Sequence, residues 1–393
     1  MSDIAAPAGT TRPGGSFIKT NLRQYGMLLS LLAIMTFFEI ATGGTLLRPL
    51  NLTNLVLQNS YIVIMALGML LVIVTGNIDL SVGSAAGFIG ALAAVMIVNY
   101  HVPIFIAAIV CLIAGGLIGA AQGYWVAYFN IPSFIVTLSG MLVLKGGMLA
   151  ILGGQSVGPF PVIFQRLSSG FLPEFINNQN EFHISSLMLG VIAALGMVYL
   201  NVRNRARTLS HGIDAEPPAF FFVKNVLMVT VITGLTFLIV SHRGLPNVLA
   251  IMTVLICIYA FVTNRTTVGR QIYAVGGNKN AAKLSGIRTE RLTFLTFVNM
   301  GVLAGLVFAA RLNTATPKAG LGFELDVIAA CFIGGASAYG GVGMVTGAVI
   351  GAFIMGVMNN GMSILGVGID YQQMIKGLVL LGAVCVDVYN QKR

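Results

Sequence analysis

The residues best placed to do chemistry are acids set inside apolar sequence. Asp79 stands in GNIDLSVG, with Asn77 and Ser81, between two long apolar runs. An ionisable group at membrane depth costs roughly 3 kcal/mol on insertion scales and is a functional candidate by default. The same residue also suits a turn at the cytoplasmic interface, capping the following helix and favoured by its dipole. Glu324 and Asp326 open another apolar run, either as first-turn acids of a helix or as groups facing a pathway. Asn59 lies within a run, and Asn359 and Asn360 flank the hinge NNGMSILGVGIDYQQ. Amides there cap helices or hydrogen-bond the hydroxyls of a sugar. Lys145 and Lys376 sit in or near apolar spans, where long stems snorkel to the interface. His101, His183, His211 and His242 are scattered through loop regions without HExxH or paired spacing, so no metal site and no cofactor is expected. GxxxxGK[ST] does not occur, so the chain carries no phosphate cradle of the P-loop kind, and no active site of its own is expected. If work is done on a solute, a partner supplies the energy.

The elements that hold these residues follow from composition. Hydrophobic residues make up 56% of the chain and charged residues 9%, and the mean hydropathy is +0.90. A soluble domain carries about 25% charged residues. The deficit places most of the chain in lipid, as an all-α polytopic membrane helix bundle of about ten to twelve spans. Apolar segments fall at about 25–44, 52–76, 81–99, 103–129, 131–153, 184–202, 219–240, 244–263, 292–312, 326–339, 342–365 and 371–390. The segment 326–339 is short for a span and is a candidate re-entrant piece. The net charge of +10 would suggest nucleic acid in a soluble protein. Here the bases lie in short loops beside apolar runs, the positive-inside pattern, and no nucleic-acid partner is expected. With Arg12, Lys19 and Arg23 inside, parity places Arg203, Arg205, Arg207, the bases after the eighth segment, and Lys392 and Arg393 inside as well. Both termini are then cytoplasmic. Residues 1–24 read as a flexible cytoplasmic tail, and 25–390 as one transmembrane domain.

Glycine, 48 of 393 residues, is too frequent for an isolated anchor. Gly115, Gly119 and Gly123 repeat every fourth residue, as do Gly343, Gly347 and Gly351, which suits close helix packing. A subunit interface is the alternative use of such a face. Two stretches echo one another: IDLSVGSAAGFIGALAAVM from Ile78 and ELDVIAACFIGGASAYGGVG from Glu324 each put an Asp before a run of small residues. Breaks in matching helices often mark a transport pathway.

One polar island is too well defined for a connector. Between two apolar runs, within the loop 264–291, six bases (Arg265, Arg270, Lys279, Lys283, Arg288, Arg291) face one acid, Glu290. Asn278 can cap a short helix over Lys279 to Ser285, which Gly286 would end. Gly276, Gly277, Asn278, Ala281, Ala282, Leu284, Ser285 and Gly286 are read as a docking element.

At this point several motifs, in order, resemble a known family. NLVLQNSYIVIMALGMLLVIVTGNIDLSVGS, IPSFIVTLSGMLVLKGG, YAVGGNKNAAKLSGI, ELDVIAACFIGGASAYGGVG and NNGMSILGVG…YQQMIKGLVLLGAV are similar to permease subunits of bacterial ABC sugar importers of the ribose/xylose type. The likeness runs from about residue 50 onward. The extra pair of segments at about 184–240 resembles the longer xylose and multiple-monosaccharide permeases, and the YQQMIKGLVLL…DVYN ending is nearer the latter. The resemblance implies a homodimeric or paired inner-membrane permease that imports a monosaccharide by alternating access. It also implies a periplasmic sugar-binding protein outside and two copies of a cytoplasmic ATPase subunit inside, docked on the GGNKNAAKLSGI stretch. It assigns no sugar-contacting residue. An ion-coupled secondary transporter, using Asp79 and Glu324 as relays, is the alternative from the residues alone; a membrane-embedded enzyme has no catalytic constellation behind it.

Overall fold

The computed structural model describes residues 15–166, 169–174, 183–212, 217–304 and 314–391. The chain folds as α1 (Gly15–Ala41), α2 (Pro49–Val74), α3 (Val82–Ala94, closed by a π-helical turn Val95–Asn99), α4 (Ile104–Tyr128), α5 (Ser133–Leu152), α6 (Val162–Gln165), α7 (Ile184–Ser210) and α8 (Pro218–Arg243). There follow α9 (Asn247–Arg265), α10 (Thr267–Gly277), α11 (Lys279–Leu284), α12 (Thr289–Leu303), α13 (Phe323–Ile333), α14 (Val345–Ile364) and α15 (Ile369–Gln391). Among the described residues nine helices are long and apolar enough to cross a membrane. Two revisions to the expected elements follow. Helix α1 already begins at Gly15, so part of the expected tail is helical, and positions 1–14 lie outside the described residues. Helix α13 has 11 residues and so rises only about 16 Å, half the hydrocarbon thickness, which excludes it as a full span.

Helix α2 is the axis of the bundle. It is buried almost along its whole length and packs against α8, α9, α12, α13 and α14. The helices around it turn apolar side chains outward, as Phe105 and Val143 do, which is favourable only against lipid or another apolar surface. The glycine repeats close helix pairs within this one chain. Gly115 and Gly119 leave room for the backbone of Gly301 and Phe297 on α12, and Gly347 and Gly351 for Gly334 and Ala330 beside and on α13. Packing, not a subunit face, accounts for both.

The backbone is irregular at two places inside the bundle. After α2 the chain turns at Gly76, which is exposed. Residues 75–81 run back into the protein, where the Ile78 and Leu80 amides donate to Ser133 Oγ and Thr137 Oγ1 of α5, 3.1 Å in both cases. Buried backbone away from a helix needs such partners. The second irregular stretch enters from the opposite side: it passes Gly320 and Gly322, both in the left-handed region, and leads into α13. Tyr61, midway along α2, stacks on Phe323, the first residue of α13, at 4.4 Å between ring centroids. Helix α13 therefore starts at mid-depth.

Candidate functional site

The basic island contains two helices rather than one. Thr266 caps α10 by accepting the Gly269 amide (3.1 Å), and α10 then runs to Gly277. This part of the expected loop 264–291 is therefore helical. The spacing of Ile272 and Val275, both buried, was the signal that could have found it. Asn278 ends α10 and caps α11, accepting the Ala281 amide at 3.0 Å. Gly286, at φ +82°, follows in the left-handed region and closes the turn with the Ile287 amide on the Ala282 carbonyl (3.1 Å). Asn278→Ala removes the cap and should cost about 1 kcal/mol. The expected result is faster amide exchange confined to Lys279–Ser285.

The island presents one face outward. Gly277, Asn278, Ala281, Ser285 and Gly286 are exposed, and Leu284, at 90%, is bare at the tip. Ala282 instead points into the protein and is buried. A bulky residue at Ala282 would thus disturb packing rather than an outer contact. The island is pinned from both sides: Lys279 Nζ donates to Asn130 Oδ1 of the α4–α5 turn (2.9 Å), and Lys283 pairs with Glu290 at the start of α12 (2.7 Å). The Lys283 ammonium holds the Glu290 carboxyl down at about 2. A carboxyl depressed in the folded state adds stability above its usual range near 4.5, and loses it as pH falls towards about 2. The pair is exposed, so its share is small. Exchange of the α11 amides should therefore be flat from pH 8 to 5 after correction for intrinsic rates and rise only below, and Glu290→Gln should remove that rise.

Beneath the island lies a junction of glycines. The Gly341 amide donates to the Val74 carbonyl at the end of α2 (2.8 Å), and Gly276 sits directly against that bond. Gly340 abuts Gly76, and Gly341 abuts Gly277. Tyr273 of α10 donates to the Gly343 carbonyl (2.7 Å), and Asp387 of α15 accepts the Ala338 amide (3.2 Å). The island is thus fastened, backbone to backbone, to the end of α2 and to the connection between α13 and α14.

The candidate pathway residues divide. Asp79 is buried, 4% exposed, and its Oδ1 accepts the Ser81 amide (2.8 Å) and hydroxyl (2.7 Å), while Ser81 also meets Gln122 of α4. It braces the turn before α3 and accepts no amide from within that helix as a cap would. Asn59 and Asn360 join α2 to α14. Asn360 exchanges reciprocal amide bonds with Asn51 (2.8 and 3.1 Å), and Asn59 donates to the Leu55 carbonyl (2.8 Å) with a longer reach to Gly356 (3.5 Å). Glu324 (8% exposed) and Asp326 (1%) occupy the first turn of α13. Asp326 Oδ2 accepts from Lys376 Nζ of α15 (3.0 Å) and from Asn359 Nδ2 of α14 (3.1 Å). Lys376 therefore does not snorkel, because a buried carboxylate holds it inward.

The family model described as branched-chain amino acid transport system / permease component matches residues 51–384. The chain is similar to the xylose transport system permease protein XylH of Haemophilus influenzae, 39% identical over 376 residues that cover 95% of this chain and 98% of that one. It is similar to XylH of Escherichia coli strain K12, 38% identical over 387 residues (98% and 96%). It is also similar to the ribose import permease protein RbsC of the same strain, 32% identical over 380 residues (96% and 97%). No solved structure matches the chain.

Proposed function

The chain belongs to the branched-chain amino acid transport system / permease component family, and from that premise we propose that it is the membrane-spanning subunit of an ATP-binding-cassette importer for a monosaccharide, xylose or a related pentose or hexose. The observation that carries this reading is likeness along nearly the whole length to permeases of xylose and ribose transport systems. The protein is a multi-pass inner-membrane permease and not an enzyme. ATP is hydrolysed on a separate cytoplasmic subunit, sugar arrives on a periplasmic binding protein, and two copies of this chain enclose the path. An ion-coupled carrier is not favoured by these relatives.

The coupling surface in this reading is α11 with Gly276, Gly277 and Asn278 before it and Ser285 and Gly286 after it. Leu284 is the anchor, a large apolar side chain held out on a cytoplasmic helix. When ATP closes the two ATPases, the docked helices move with them. The glycine junction hands that movement to α2 and to the α13–α14 connection, so the bundle opens to one side at a time. Asn59 and Asn360 keep α2 and α14 moving as one, and Asp79 braces the cytoplasmic re-entrant segment.

Reconstitution in vesicles tests the proposal. With the ATPase partner inside and loaded binding protein outside, sugar should accumulate only when ATP is present. Leu284→Asp should weaken co-purification of the ATPase at least tenfold while the chain still inserts. Accumulation that follows an imposed proton or sodium gradient without ATP would sink the proposal.

A further inference from the structure

We infer that the meeting point of α3 and α13 is where the translocated sugar is recognised inside the bundle, through Ser84, Lys145, Glu324, Asp326, Asn359 and Lys376. This deepens the permease reading and rests on it. Helix α3 and the half-length helix α13 both start here. The second residue of α3, Gly83, lies against the Gly320 carbonyl and against Glu324 Oε2, so no side chain fits at that position. From this contact the helices part: α13 follows α2 towards Ala66, whose carbonyl accepts from Cys331 Sγ at 3.5 Å, while α3 runs back along the stretch that includes Ala319 and Gly320. The two sequence stretches that echo one another are the two that meet. In transporters, the N-terminus of an interrupted helix is a recurrent place for a substrate site, next to a fixed dipole end.

The chemistry left open at this point selects the ligand. Glu324 and Asp326 share the first turn of α13, within electrostatic reach of one another. Glu324 lies within electrostatic reach of Lys145, midway along α5, and Asp326 is paired with Lys376. Each acid has a base, so the centre is neutral overall. Yet Glu324 Oε2, Asp326 Oδ1, Asn359 Oδ1 and Ser84 Oγ are buried without a hydrogen-bond partner, half of all such side-chain atoms among the described residues. Three of the four can only accept, and buried acceptors without donors are costly enough to need a reason. The reason we give is a ligand that brings several donors and no net charge, as the hydroxyls of a monosaccharide do. An anion would face two carboxylates at a helix end they already neutralise. The centre reaches the surface along α15, where Lys376 is 21% exposed.

The test uses the full complex of permease, ATPase partner and binding protein in vesicles, with the transported monosaccharide and its singly deoxygenated analogues. Two variants are compared with wild type: Glu324→Gln, and the charge-neutral double change Asp326→Asn with Lys376→Met. The expected result is a fall of at least tenfold in sugar moved per ATP, with ATPase stimulation by loaded binding protein kept within about twofold. Discrimination among the deoxy analogues should flatten. Transport and stimulated ATPase falling together would mark the centre as structural and overturn the inference. So would unchanged coupling and unchanged discrimination, or wild-type transport that depends on sodium or potassium and loses that dependence in the variants. A wild-type complex that accumulates no sugar would instead overturn the permease reading, and this inference with it.

Discussion

Gly276→Ala will sharply reduce the folded, ATPase-competent protein recovered from membranes, whereas Gly277→Ala, one residue on, will leave recovery within about twofold of wild type. The contrast comes from what each added methyl group meets. At Gly277 there is open space. At Gly276 a Cβ would run into the Val74 carbonyl oxygen, which is itself occupied by the Gly341 amide at 2.8 Å. Neither atom is the end of a flexible side chain. Both are backbone, one at the end of α2 and one in the α13–α14 connection, so α10 itself must move. Overpacking typically costs 1–3 kcal/mol where side chains can yield. Here the cost should reach or pass about 3 kcal/mol, a large part of a total near 5–15 kcal/mol. Thermal unfolding of the detergent-solubilised protein, followed by size exclusion, reads the stability. Co-purification of the ATPase reads the seating of α11. Equal behaviour of the two variants would mean that the junction is not the tight fastening described above.

Much of this arrangement was legible in the sequence, and the parts that were not share a physical cause. Apolar runs gave the helices because lipid leaves few other ways to satisfy a backbone. Asn278 and Gly286 gave α11 because capping and the left-handed turn are local properties of those residue types. The glycine repeats gave close packing, and the chain uses them for that. What stays hidden is the distant partner. Asp79 after a long apolar run reads as a helix cap, and Lys376 near a span reads as a snorkelling side chain, because both readings use only neighbouring residues. The re-entry of 75–81 is fixed by Ser133 and Thr137, far along the chain, and the position of Lys376 by Asp326. No local signal reports such partners. Helix α10 was missed for the same reason: its glycines look like loop residues when read locally, yet Gly276 is glycine because another backbone passes against it. A glycine called for by long-range approach and one called for by a turn are identical in a sequence.

The buried ion pair of α13 and α15 should show the largest side-chain effect in the molecule. Lys376→Met leaves Asp326, 1% exposed, with Asn359 as its remaining polar partner. Stranding a buried charge in this way costs about 3–5 kcal/mol. The double variant Asp326→Asn with Lys376→Met strands nothing and should recover most of that loss, since desolvation of the pair offsets much of its attraction. A coupling of about 2 kcal/mol or more in this cycle, from chemical or thermal unfolding in detergent, is the expected result. A coupling below about 0.5 kcal/mol would show that Lys376 turns to the surface in the folded protein and that α15 is held by other contacts. The recovery matters for function. Helix α15 packs only partly buried side chains, Val379, Leu380, Ala383 and Val384, against the core, and its polar ties to the bundle include this pair, the Ala338 amide on Asp387 and a long Gln372–Ser363 contact. If the double variant is as stable as wild type yet no longer couples ATP to transport, then the charges are kept for what passes them and not for the fold.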